Sequence, residues 1–205
     1  MRALVLVDIQ NDFMPFGGLP VHDGDAVVEI ANRLMPHFDL VIATQDWHPA
    51  NHGSFASNHP GALPGEVVEL GGVQQVLWPD HCVQNTPGAS FHSALDVARI
   101  DAVVHKGTES DIDSYSTFFD NGHRKDTGLA QLLRELGATQ LWMAGLATDY
   151  CVKFSALDGL ELGFEVMVVA EGVRAVDLAL GDGQRALEEI EEAGGLVVSV
   201  ADVGN

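Results

Sequence analysis

Six short apolar runs punctuate the chain: Ala3 to Val7, Leu40 to Thr44, Ala102 to His105, Gln140 to Ala144, Glu165 to Ala170 and Leu196 to Val200. Each is short for a helix and lacks alternating polar positions, the pattern of a strand buried on both faces. Between them the spacing turns helical. Leu129, Leu132, Leu133 and Leu136 recur three and four residues apart, opened by Asp126-Thr127 and stopped by Gly137. Asp25 before Ala26 to Met35, and Asp182 before the stretch ending at Gly194, predict similar capped helices. Buried strands alternating with amphipathic helices predict an α/β fold, a parallel sheet covered on both faces. Such sheets bind ligands beyond the carboxyl ends of their strands, so the residues just after each run hold the most information.

The alternation lapses once. From Gln45 to about Ile100 the chain is rich in His, Pro, Gly and Asn, with weak strand signals only at Val67 to Leu70 and Val76 to Trp78, and it carries five of the nine histidines. A long excursion within a compact unit is usually functional. At 205 residues the expectation is a single domain, 1–205, carrying that excursion at about 45–100.

Composition narrows the class of partner. Thirty acidic against ten basic residues give a formal charge of −20, which repels nucleic acid and anionic membranes and leaves a small uncharged molecule or another protein as partner. No apolar run approaches the ~20 residues of a membrane span. The first strand begins too early for a secretion signal, so the expected location is cytoplasmic. The two cysteines, Cys82 and Cys151, are then expected to be reduced.

Reactive side chains follow several strands, and each has an ordinary reading beside a chemical one. Asp8 closes the first run, where a turn or cap carboxylate is common. Asp46-Trp47-His48 follows the second, and alternate residues of an extended segment share a side, so Asp46 and His48 converge while Trp47 faces away. His81 supplies a third ligand from the far end of the excursion. One carboxylate and two imidazoles suit zinc, iron or manganese, although His and Asp also populate polar loops; His52 and His59 are further ligand candidates, with loop histidines that face solvent as their ordinary reading. Lys106, one of three lysines, ends the third run, either in a salt bridge at the sheet rim or in a site, with His105 directed oppositely. Cys151 follows the fourth run in Gly145-Leu-Ala-Thr-Asp149-Tyr150-Cys151, where Thr148 or Asp149 as N-cap sets it in a helix's first turn. There the helix dipole and a nearby lysine favour a thiolate. The alternative is an inert buried thiol, the reading Cys82 fits better.

Asp8, Lys106 and Cys151, each after a different strand, resemble the Asp-Lys-Cys triad of the isochorismatase-like cysteine hydrolases. The resemblance spans essentially the whole chain. Asp8-Ile-Gln-Asn-Asp12-Phe13, Thr44-Gln-Asp46-Trp-His48-Pro-Ala-Asn-His52-Gly-Ser-Phe55, Trp78-Pro-Asp-His81-Cys82-Val, Lys106-Gly, Asp113-Ser-Tyr115-Ser and Gly145-Leu-Ala-Thr-Asp149-Tyr-Cys151-Val look like the successive motifs of bacterial nicotinamidases, also called pyrazinamidases. The Asp-Trp-His and Trp-Pro-x-His elements are the specific part, since relatives without the metal lack them.

The resemblance implies a three-layer αβα fold with a six-stranded, mainly parallel Rossmann-like sheet, and one divalent metal, zinc ahead of iron or manganese, on Asp46, His48 and His81. Ser54 is a candidate outer contact to that metal, with waters completing the shell; the resemblance also implies Phe13 and Trp78 as aromatic walls with Tyr115 and Tyr150 nearby, an oxyanion hole on the backbone N–H groups of Ala147 and Cys151, and a cis Leu146-Ala147 peptide. The activity implied is hydrolysis of nicotinamide, with pyrazinamide as a second substrate, through a Cys151 thioester, in NAD salvage. Another small-amide hydrolase and a non-catalytic binding module are the alternatives; the metal residues weigh against the first and the intact triad against the second. A monomer and a homo-oligomer both stay open.

Overall fold

The first apolar run, Arg2–Val7 (β1), is buried from Ala3 onward because it lies in the middle of a sheet, paired in parallel with Leu40–Asp46 (β2) on one side and Gln140–Leu146 (β6) on the other. The computed structural model describes residues 1–204. Two short strands of the excursion, Val67–Leu70 (β3) and Val73–Val76 (β4), pair antiparallel as a separate ribbon. With Ala102–Lys106 (β5), Glu165–Arg174 (β7) and Leu196–Val198 (β8), the main sheet runs β5-β2-β1-β6-β7-β8, and every pairing in it is parallel. Its two faces are covered by separate apolar clusters. One includes Val27, Val28, Ala31 and Leu34 of helix Ala26–Leu34 (α1). The other includes Leu129 and Leu133 of helix Leu129–Glu135 (α2), Ala156 of helix Lys153–Glu161 (α3) and Ile190 of helix Asp182–Glu192 (α4). This is the three-layer, six-stranded arrangement expected. Among the described residues, no helix is long and apolar enough to cross a membrane.

Local expectations fail where neighbours, not the run itself, decide. β5 and β8 are edge strands, and β5 alternates between half-buried and exposed positions before Lys106 instead of being buried throughout. The second excursion strand is Val73–Val76, not Val76 to Trp78; Trp78 instead bridges to Phe55. Neither Thr148 nor Asp149 caps the turn that carries Cys151. Ala147 holds the cap position, its carbonyl accepting the N–H groups of Tyr150 and Val152 at 3.1 Å, and Thr148–Val152 forms one wide turn that runs into α3.

Candidate active site and metal centre

The polar residues that end the strands converge at the carboxyl edge of the sheet, where the topology divides around β1. Asp8 leaves β1 with φ 51°, a left-handed conformation that Asp tolerates better than most residues. Its carboxylate is held from β2, where the Thr44 hydroxyl donates to Asp8 Oδ1 at 2.7 Å and accepts the Asp8 N–H at 3.3 Å. On the other side β6 closes onto β1 so tightly that a Cβ on Gly145, itself at φ 124°, would stand 2.0 Å from the Val7 carbonyl oxygen. Glycine is required there, and the approach brings the Leu146-Ala147 peptide, which is cis, and then the Cys151 turn against Asp8.

Lys106, the last residue of β5, is fully sequestered, and its ammonium is the hub of the site. Nζ lies 2.8 Å from Asp8 Oδ2 and 3.2 Å from Cys151 Sγ, donates to the Ser114 carbonyl at 3.0 Å, and contacts Asp46 Oδ1. An ammonium has three N–H donors for these four acceptors. Sulfur and both carboxylates lie close together, with one potential ligand atom from each of Asp8, Asp46 and Cys151 within 4.8 Å of the others. The three residues of the expected triad therefore meet.

Burial sets the protonation states. It pushes the Asp8 carboxyl up to about 6, with Lys106 opposing and Asp46 adding to the rise. Burial also works against charge on Lys106, but Asp46 and Asp8 outweigh it and hold the ammonium well above its ordinary range. The Cys151 thiol is driven well above its usual value, chiefly by burial; Lys106 opposes this, while the negative charges of Asp8 and Asp46 reinforce it. Burial and the two carboxylates beside the sulfur thus work against the thiolate expected from the helix dipole and a lysine.

Asp46 uses its other oxygen on the metal side. Asp46 Oδ2 is 3.7 Å from His48 Nε2 and 4.0 Å from His81 Nε2, with all three residues buried. The Nδ1 atoms are fixed by backbone carbonyls, His48 on Gly107 at 2.8 Å and His81 on Pro79 at 2.7 Å, which turns both Nε2 atoms inward. His48 Nε2 is buried with no hydrogen-bond partner. A carboxylate oxygen and two Nε2 atoms, one of them orphaned, suit a divalent ion of the zinc class. Gly107 is part of this arrangement, since a Cβ there would lie 2.4 Å from His48 Cε1. Ser54 spends its hydroxyl on His52 Nδ1 at 2.7 Å, and His59 Nε2 meets the Gly53 carbonyl at 2.7 Å. Trp47 faces away, as expected, and stacks on His105 at 4.4 Å between ring centroids.

Over these groups opens a cleft of about 370 Å³, lined by Phe13, Trp78, Tyr115, Tyr150, Ala147 and Cys151 together with Asp46 and His81. All four expected aromatic residues are present. Leu19, Asp113 and Val176 complete the lining. The first and last carry no sequence signal, being ordinary apolar residues in loops, whereas Asp113 lies inside a recognised motif. Gln10, inside the first quoted motif but with no role expected of it, accepts the Asp46 N–H and donates to the Asp46 carbonyl, both at 2.8 Å, fixing that ligand's backbone.

Residues 2–202 match the Isochorismatase domain family. The chain belongs to that family. Within the isochorismatase family it is 50% identical over 205 residues to the nicotinamidase of Escherichia coli strain K12, covering 98% of this chain and 96% of that one. The yeast nicotinamidase bound to the inhibitor nicotinaldehyde superposes with a TM-score of 0.92 at 30% identity, over 97% of this chain and 100% of the other. The pyrazinamidase of Pyrococcus horikoshii in complex with zinc gives 0.79 at 38% identity, over 97% and 98%.

Proposed function

We propose that this chain is a nicotinamidase that hydrolyses nicotinamide to nicotinate and ammonia, accepts pyrazinamide as well, and serves NAD salvage in the cytoplasm. The observation that carries the reading is the meeting of Cys151 Sγ, the Lys106 ammonium and the Asp8 carboxylate beside Asp46, His48 and His81 in one small aromatic cleft. The cleft is narrow and lined by four aromatic rings, which suits a flat single-ring amide.

In this reading Asp8 is the general base. It takes the Cys151 proton as sulfur attacks the amide carbon, so a thiol that is poorly acidic at rest becomes a nucleophile only while the carbon–sulfur bond forms. Lys106 stabilises the negative charge that develops on sulfur as the proton passes to Asp8, and it stays paired with Asp46. The oxyanion is received by the backbone N–H groups of Ala147 and Cys151, a contribution typically about a hundredfold or more per donor. Asp8 returns its proton to the departing nitrogen and ammonia leaves. Water, deprotonated by Asp8, then hydrolyses the thioester to nicotinate and regenerates the thiol. Asp46, His48 and His81 would hold the metal, zinc first and iron or manganese as alternatives. Bound there, it would supply a Lewis acid for a ring nitrogen of the substrate. Phe13 and Trp78 flank the ring and exclude water.

The test is ammonia release from nicotinamide, with and without a chelator. The reading expects turnover by the protein as purified, loss on chelation, and recovery on adding zinc, manganese or iron. Cys151→Ala should retain ligand binding and release no ammonia. Full turnover by that variant, or by metal-stripped protein, would contradict the assignment.

A further inference from the structure

One buried side chain outside the cleft is bonded to much of its far wall. Gln75, on β4, is fully buried, the inward-facing position of an otherwise exposed ribbon. Its Nε2 lies 2.8 Å from the Tyr115 hydroxyl, 3.1 Å from Asp113 Oδ2 and 2.8 Å from the Val76 carbonyl, three acceptors that share its two N–H donors. Its Oε1 accepts from Asn121 Nδ2 at 3.2 Å, and Asn121 Oδ1 in turn accepts the Tyr115 N–H at 2.9 Å. Trp78 Nε1 donates to the same Tyr115 hydroxyl at 3.1 Å. Tyr115, Asp113 and Trp78 all line the cleft, and Gln75 does not.

We propose that Gln75 is a positioning residue for substrate binding, fixing the Tyr115–Trp78–Asp113 wall from behind and setting the shape of the ring site without touching the ligand. The reason is geometric. Tyr115 and Trp78 come from segments far apart in sequence, and their polar atoms meet at a single hydroxyl. That hydroxyl accepts from both Gln75 and the indole, so removing Gln75 strips a buried donor from Tyr115 and from the Asp113 carboxylate together. The Tyr115 ring packs edge-on against Tyr150 at 5.3 Å, and Trp78 does so at 4.9 Å, so a shift of Tyr115 moves the whole aromatic wall. The triad is held chiefly by contacts of its own, from Thr44, Asp46 and the turn after β6, and it meets this segment through a backbone group, the Ser114 carbonyl that accepts from Lys106 Nζ at 3.0 Å. Gln75 should therefore govern how well the ring is held and leave the bond-breaking step nearly alone.

The inference rests on the proposed amide hydrolysis, and the experiment separates the two. Ammonia release from nicotinamide is measured for the metal-loaded wild-type protein, Gln75→Leu, Tyr115→Phe and the double variant, with folding checked by circular dichroism and thermal melting. For folded Gln75→Leu we expect KM to rise about tenfold or more while kcat stays within about threefold. Tyr115→Phe should reproduce part of that rise, and the double variant should be no worse than the poorer single, because Gln75 acts through Tyr115. An unchanged KM in folded Gln75→Leu, a loss confined to kcat, or additive effects in the double variant would each overturn the proposal. Should Gln75→Leu not fold, Gln75→Glu, which keeps the volume and loses the donors, carries the same expectation and the same refutations. Wild-type protein that releases no ammonia would instead defeat the hydrolase reading.

Discussion

At the scale of single residues the site works by setting charge against burial. Asp8 sits at about 6 because burial raises it more than Lys106 lowers it. The carboxylate is the form that accepts the thiol proton, so kcat/KM should fall about tenfold per pH unit once the pH drops below about 6. A pH–rate profile checks this, and a profile level down to pH 4.5 would remove Asp8 from the role of base. Asp8→Asn should be inactive at every pH. The residues of the triad and the metal cluster are conspicuous in sequence, but each has an ordinary reading on its own, and it is the family resemblance that joins them. Thr44 and Gln10 lie within the quoted motifs with no role assigned, and Gln75 lies outside them. A Thr on a strand or a Gln in a polar stretch has the same local pattern whether it faces solvent or braces a catalytic carboxylate, and only tertiary contacts distinguish the two.

At the scale of elements, single carboxylates tie loops together. Asp12 Oδ2 accepts the Cys82 N–H at 2.7 Å and Oδ1 accepts the Gly18 N–H at 3.1 Å, joining the loop that bears His81 to the segment that bears Phe13 and Leu19. Asp12→Ala should loosen His81 and weaken metal affinity by about ten- to a hundredfold, the usual cost of losing an outer support; a competitive chelator titration measures it, and unchanged affinity would refute the link. Asp149 does the corresponding work on the other rim. Its two oxygens accept the N–H groups of Val176 at 2.9 Å and Asp177 at 2.8 Å, and so pin the loop after β7 to the Cys151 turn. This explains why the N-cap expected from sequence fails. An Asp just before a helix has one signature and two uses, and here the long-range use wins. Likewise, the apolar runs of β5 and β8 announce strands but not whether a neighbour covers each side.

For the whole molecule the dominant quantity is charge. Thirty acidic groups face ten basic ones, and Lys106, one of the ten, is spent inside the site. Surface pairs such as Lys153 with Glu189 at 3.2 Å or Arg99 with Asp96 at 3.1 Å leave most of the acidic surface uncompensated. Such a surface repels itself. Since the screening length is about 10 Å at 0.1 M salt and about 3 Å at 1 M, the Tm should rise with added sodium chloride. Thermal melts across that range test this, and a Tm that falls with salt would show that the favourable ion pairs outweigh the repulsion.

The position of β1 also bears on how the protein is made. This strand is wholly apolar from Ala3 to Val7 and is covered along one edge by β2, which a ribosome delivers soon afterwards, and along the other by β6, which emerges only after most of the polypeptide has been translated. Until then a growing chain carries a sticky, half-paired ribbon at its heart. Nascent chains stalled before Gln140 should accordingly engage chaperones or aggregate, and those released beyond the Cys151 turn should not.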